Sequence, residues 1–293
     1  MIEKIDFSNW SVYQGNSEGS GRSEKIWLCS DNESGLFKFP KTEHTTEHVS
    51  EKLASNIAKL LEIPCAKIDI GTYHGRTGSM SYRINNEKQA LLEAIVFISK
   101  ALPNYDIDRL CDYTENIYYS FPLIYRIAEV LNLEKDFFNM LIFDALIGNS
   151  DRHHSNWAVL VSPPGSIEFS PLYDNGSSLC CYVNEADIDS YLGKDILRFN
   201  GLVDTRSRSR IRIHLNDKKE PTHREMLEHL SSSKHRCYCE DTIEKINQNI
   251  TSQKIIDMLN EYSDDLLSTK KKELISKFLN EKIKIINNVF KGG

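Results

Sequence analysis

No apolar run in this sequence approaches the roughly 20 residues that a membrane-spanning helix needs. The opening residues, MIEKIDFSNW, lack the continuous apolar stretch of a secretory signal. Excess positive charge is missing too. Lys and Arg number 36 against 42 Asp and Glu, a net charge of -6, which argues against a general affinity for nucleic acid. The 7 cysteines form no CxxC pair. An odd number without a signal reads as reduced thiols rather than a disulfide framework. Neither the GxxxxGK[ST] order nor the HExxH order occurs, so a Walker A nucleotide loop and a zincin metal site are excluded. The expectation is a protein of a bacterial cytoplasm, with no membrane and no direct nucleic-acid contact.

What is present is ample apolar material, 40% of 293 residues, enough for one large domain or two tightly joined lobes. The first ~95 residues read as short strands with one inserted helix. WSVYQ, KIWLCS, GLFKFP, AKIDIGTY and GSMSYRI are the strands. The helix covers 43–62, where Val49, Leu53, Ile57, Leu60 and Leu61 recur at helical spacing and Pro64 lies just beyond. The rest is mostly helical. PLIYRIAEVLNL and KDFFNMLIFDALIG are too densely apolar for exposed faces. NWAVLVS and SIEFSPLYD form a hairpin around PPG, and several helices follow from about 221 to 290. The fold class expected is α+β and bilobal. A small strand-rich lobe (1–95) is followed by a larger helical lobe (96–293), with a cleft between them.

Four places could carry chemistry. GNSEGSGRSEK, Gly15 to Lys25, sets three glycines and three serines between two strands. Such a loop can bring backbone N–H groups close to a phosphate, or be only a flexible hairpin turn. Lys38 alternates with Phe37 and Phe39, so it faces away from them and either binds phosphate or points to solvent. Glu51, or Glu47 one turn earlier, could pair with it. Finally DRHHSN supplies Asp151, His153 and Asn156 after a buried helix, and Asp174 follows the second strand of the hairpin in YDNGS. Asn and Asp oxygens suit Mg²⁺, and an aspartate ahead of the Asn can orient or accept a hydroxyl proton.

The order D-x-H-x-x-N, an apolar strand, then Y-D-N-G-S resembles the HipA-like serine/threonine kinases in their compact, stand-alone form. DRHxxN is also shared with the related phosphatidylinositol 3-/4-kinases. The likeness covers most of the chain, including the Gly-rich loop with its trailing Lys25, the LFKFP lysine and the helix after it. It implies a protein-kinase-like fold using ATP and Mg²⁺. By this resemblance Asp151 is the catalytic aspartate, and His153 braces its loop or contacts the phosphate. Asn156 and Asp174 hold the metal, and Lys38 meets the nucleotide phosphates with Glu51 as its partner. Gly19, Ser20, Gly21, Arg22 and Ser23 cover the phosphates. Autophosphorylation in or near that loop makes Ser17, Ser20 and Ser23 the candidate sites. A toxin role, an antitoxin partner and export as an effector are further implications, and the protein substrate is open. The alternatives are a phosphoinositide or other small-molecule kinase and a non-catalytic kinase-fold binding module.

Three features are set aside. Arg206, Arg208, Arg210 and Arg212 alternate, and as a strand would share one face, either a solvated basic loop or a substrate-recognition surface. His235, Cys237 and Cys239 lack a full tetrahedral set. His44, Glu47 and His48 read as a surface turn, and His154 as a solvated neighbour of His153.

Overall fold

A computed structural model describes residues 1–14 and 24–291. Gly15 to Ser23 lie outside the described residues, and with them Ser17, Gly19, Ser20, Gly21, Arg22 and Ser23. The N-terminal strands are Ile5–Asp6 (β1), Ser11–Val12 (β2), Lys25–Cys29 (β3), Ser34–Lys38 (β4), Ile68–Tyr73 (β5) and Arg76–Tyr82 (β6). They form one sheet in the order β1-β5-β6-β4-β3-β2, antiparallel except for the parallel pair β1 and β5. Period-2 alternation puts Phe37 and Met80 on its buried face with Phe7, Leu28, Phe39 and Tyr82.

Helix Glu47–Leu60 (α1) crosses between β4 and β5. It begins four residues later than the apolar spacing predicts. Thr42 holds a local turn instead, its carbonyl accepting from Thr45 N–H and its hydroxyl from His44 N–H. Such side-chain and backbone bonds compete with helix. Its C-terminal end is set by Glu62 in the left-handed region (φ 57°) and by Ile63 N–H bonding back to Ala58.

Next come Ala90–Glu93 (β7), Ala94–Ala101 (α2), Cys111–Asp112 (β8), Ile117–Tyr118 (β9), Phe121–Leu131 (α3) and Glu134–Ile147 (α4). Ala158–Ser162 (β10) and Ser166–Phe169 (β11) make the expected hairpin. Its other edge pairs with β7, a strand the sequence reading passed over. The helices that follow are Ile188–Leu192 (α5), Ile196–Asn200 (α6), His223–Ser232 (α7), Cys237–Asn249 (α8), Ser252–Asn260 (α9) and Thr269–Lys291 (α10). The architecture is mixed α+β, strand-rich at the N-terminus and helical at the C-terminus.

The large core centres on α4, where every residue from Met140 to Ile147 is buried. Phe278, Leu279, Ile285 and Ile286 of α10 join the same cluster. No helix among the described residues is long and apolar enough to cross a membrane.

The alternating arginines do not form a strand. Backbone bonds from Arg206, Ser209 and Arg212 go to Gly201, Pro221 and Tyr119 respectively, so no continuous ladder exists to put them on one face. Arg212 is buried beside the Tyr118 ring, while Arg206 stays exposed. His154 is also corrected: it is 6% exposed, not solvated. His235 packs among Phe121, Tyr125 and Phe138 rather than with the cysteines.

Candidate functional site

Lys38 ends β4 opposite Phe37 and Phe39, as alternation requires. Its ammonium lies 3.4 Å from Glu51 Oε1 and 3.0 Å from Asp174 Oδ1. Glu51 projects from the buried face of α1, and its Oε2 is buried without a hydrogen-bond partner. Glu47, the other possible partner, is occupied elsewhere. It accepts from Lys41 N–H, Thr45 Oγ1 and Tyr182 Oη, and pairs with the Lys41 amine.

The three charges set one another's titration. Burial works to lower the pKa of Lys38, but Asp174 and then Glu51 reverse this and hold it above the usual lysine value. Burial raises Glu51, with Lys38 opposing and Asp174 reinforcing. Burial works upward on Asp174 too, yet Lys38, Lys25 and His153 together hold its carboxyl below the ordinary range. Asp174 therefore stays an anion while 43% of its side chain remains exposed. Its φ of 57° is left-handed, a conformation Asp tolerates better than most residues. The segment after it tucks under α1: a Cβ on Gly176 would sit 3.3 Å from the Glu47 carbonyl and from Glu51 Cγ. Ser50 Oγ donates to the Ser178 carbonyl and Thr46 N–H to the Cys181 carbonyl.

The second half of the site follows α4. Gly148 ends the helix with φ 68°, and the next turn carries Asp151, His153 and Asn156. Asp151 N–H donates to Asn149 Oδ1, and Asp151 O accepts from both His153 N–H and Asn156 Nδ2. Asn156 thus spends its amide N–H on the loop. Among the described residues its Oδ1 accepts no hydrogen bond. His153 Nδ1 accepts from Ser155 N–H. Burial lowers its pKa, with Asp151 and Asp174 pulling the other way. Arg210 Nε stands 3.5 Å from Asp151 Oδ1, while its Nη1 donates to Glu220.

Sequence reasoning left Arg152 without a role, yet it ties the site together. At 1% exposure it is among the largest fully buried side chains. Its guanidinium grips Asp144 of α4 with two bonds, 2.9 Å from Nε and 2.8 Å from Nη2. Nη1 donates to the Asn156 and Tyr173 carbonyls, and Nη2 to Asn175 Oδ1. One side chain thereby joins α4, the turn bearing Asp151 and the turn bearing Asp174. The planar fork of arginine suits this and a lysine would not. A signal for it existed in Asp144, the one charged residue between Phe137 and Ile147, which must find a cation when buried.

The chain as a whole matches known proteins in sequence and in fold. The HipA-like C-terminal domain matches residues 17–261. The serine/threonine-protein kinase CtkA of Helicobacter pylori is 23% identical over 198 residues. That match takes in 63% of this chain and 58% of the relative, so it spans little more than half of that protein. The crystal structure of the Helicobacter pylori proinflammatory kinase CtkA superposes with a TM-score of 0.78 at 21% identity, over 99% of this chain and 98% of the other. HipA of Shewanella oneidensis, solved with HipB and operator DNA, gives 0.60 at 14% identity over 94% of this chain and 66% of the other. The kinase fold seen in those structures is therefore the fold here, and the protein belongs to the HipA-like C-terminal domain family.

Proposed function

We propose that this protein is an ATP- and Mg²⁺-dependent serine/threonine kinase. The reading rests above all on Lys38, held 3.0 Å from Asp174 and 3.4 Å from Glu51. A strand lysine aimed by a helix glutamate at an aspartate beside the catalytic turn is what phosphoryl transfer needs, since positioning and charge neutralisation supply most of the catalysis. In this reading Lys38 binds nucleotide phosphates and Glu51 orients it. The proposed division is residues 1–95, which cover the nucleotide, and 96–293, which carry both turns. The small core around Phe37 and Met80 supports a separate sheet, although α1 shares the large core with α4.

The metal's fit can be judged from the donors present. Asn156 Oδ1 has no protein partner among the described residues, and Asp174 is anionic. Two hard oxygen donors on turns locked together by Arg152 suit Mg²⁺, which takes few protein ligands and completes its shell from water and phosphate. When bound, it would neutralise charge on the transferred phosphoryl group. Asp151 orients the acceptor hydroxyl and takes its proton, and His153 braces the turn between Asp151 and Asn156. Autophosphorylation on Ser17, Ser20 or Ser23 would bring about -2 charge into the loop proposed to cover the ATP phosphates, and so inhibit. A toxin role with an antitoxin partner is a further possibility carried by the family alone.

Asp151→Asn tests the reading. It should abolish transfer of labelled phosphate from Mg²⁺-ATP to the chain itself and to protein acceptors. Unchanged turnover would overturn the assignment, and transfer to phosphoinositide but not to protein would favour a lipid kinase. Mass spectrometry of ATP-treated protein should find phosphate on residues 15–25.

A further inference from the structure

A second buried polar chain reaches the Asp151 turn from the last helix, α10. Lys282 of α10 is 2% exposed, and its Nζ donates to Ser207 Oγ at 2.8 Å. Ser207 Oγ lies 2.9 Å from His223 Nδ1, and His223 Nε2 lies 3.0 Å from the Asn149 carbonyl. His223 N–H also donates to the Ser207 carbonyl, so the two residues are pinned together twice.

The direction of every bond follows from the last one. A carbonyl can only accept, so His223 Nε2 carries the proton. In the neutral ring Nδ1 is then an acceptor, and the Ser207 hydroxyl must give its hydrogen to it. That leaves the Ser207 lone pairs to receive the Lys282 amine. Burial, and then the neighbouring Lys282, hold the His223 pKa well below its usual value, so the ring stays neutral. The far end of the chain is Asn149, whose Oδ1 accepts from Asp151 N–H and whose Nδ2 donates to Asp144 Oδ1. Asp144 is the partner of Arg152. Packing makes the same connection: a Cβ on Gly148 would come 2.7 Å from Phe278 of α10 and 3.4 Å from Ser207 Oγ.

We infer that Lys282, Ser207 and His223 form a one-way hydrogen-bond relay that positions the Asp151 turn by fixing Asn149 from behind. None of the three touches the reacting atoms; they act through Asn149. The catalytic consequence rests on the kinase reading above, whereas the relay itself does not.

The decisive comparison is Ser207→Thr against Ser207→Val, two side chains of nearly one shape that differ in the hydroxyl. In the full-length protein, amide hydrogen exchange across residues 149–153 should rise about tenfold or more in the Val variant relative to Thr. With that loosening, kcat should fall by about tenfold or more while the ATP KM stays near wild type, and Thr should retain the wild-type kcat. Equal exchange in the two variants would overturn the relay. Faster exchange in the Val variant supports the relay even if the wild-type protein shows no phosphotransferase activity, since that inactivity counts against the kinase reading alone. The wild-type chain gives an independent check if both variants misfold. The ¹⁵N shifts of His223 at pH 7 should report a neutral ring protonated at Nε2; an imidazolium or an Nδ1–H ring would defeat the proposal.

Discussion

At the scale of single residues, the site depends on Arg152 as much as on the groups that would meet substrate. Breaking a buried ion pair leaves an uncompensated charge behind, a loss of about 3–5 kcal/mol. Arg152→Lys keeps the charge but cannot span Asp144, Asn156, Tyr173 and Asn175 together. We expect it to lower stability by about 2 kcal/mol or more, read as a lower urea midpoint at unchanged slope. Phosphotransfer should fall with it, because the turns bearing Asp151 and Asp174 lose their common anchor. An unaltered midpoint would mean that the fork carries no net stabilisation.

At the scale of elements, α4 delivers the Asp151 turn and Gly148 decides how it ends. A residue with a Cβ must there adopt φ 68° and also intrude on Phe278. Gly148→Ala should therefore destabilise by more than the ~1 kcal/mol of left-handed strain alone, seen as a lowered thermal midpoint. Much of this was legible in the sequence. LFKFP fixed which way Lys38 points, because alternation leaves no choice once Phe37 and Phe39 are buried. DRHHSN followed by YDNGS marked the two turns that Arg152 joins. Contacts between distant segments were not legible. Nothing local says that β7 borders β10, or that Ser207 meets a histidine 16 positions later and a lysine on the last helix. The arginine alternation misled for the same reason. Its backbone takes partners from three separate segments, so a period of two had no sheet to express it.

At the scale of the whole molecule, buried bases make stability depend on pH. Burial lowers His154 to about 4, with His153 adding to the effect, and His223 lies well below its usual value. The unfolded chain takes up these protons first as the medium is acidified. Their stabilisation is present above pH ~6.5 and is lost as the pH falls toward the folded values, by up to about 1.4 kcal/mol per unit for each ring. The urea midpoint should fall steeply between pH 7 and pH 5, and a flat profile would refute this. Lys282 acts on the alkaline side. Burial drives its pKa to about 7, with Asp204 and Cys180 pulling upward and Arg224 downward. Below pH 7 the cost of burying the charge is complete, and it is relieved as the pH rises toward the unfolded lysine value. Lys282→Met should remove that rise, which amounts to about 3–5 kcal/mol between pH 7 and pH 10. The Arg152 clasp has a mechanical meaning as well. Two turns some twenty residues apart in the chain are tied into one jaw by a single side chain. On the kinase reading, any opening that admits a nucleotide falls to the β-sheet that carries Lys38, because α1 is itself bonded to the segment after Asp174.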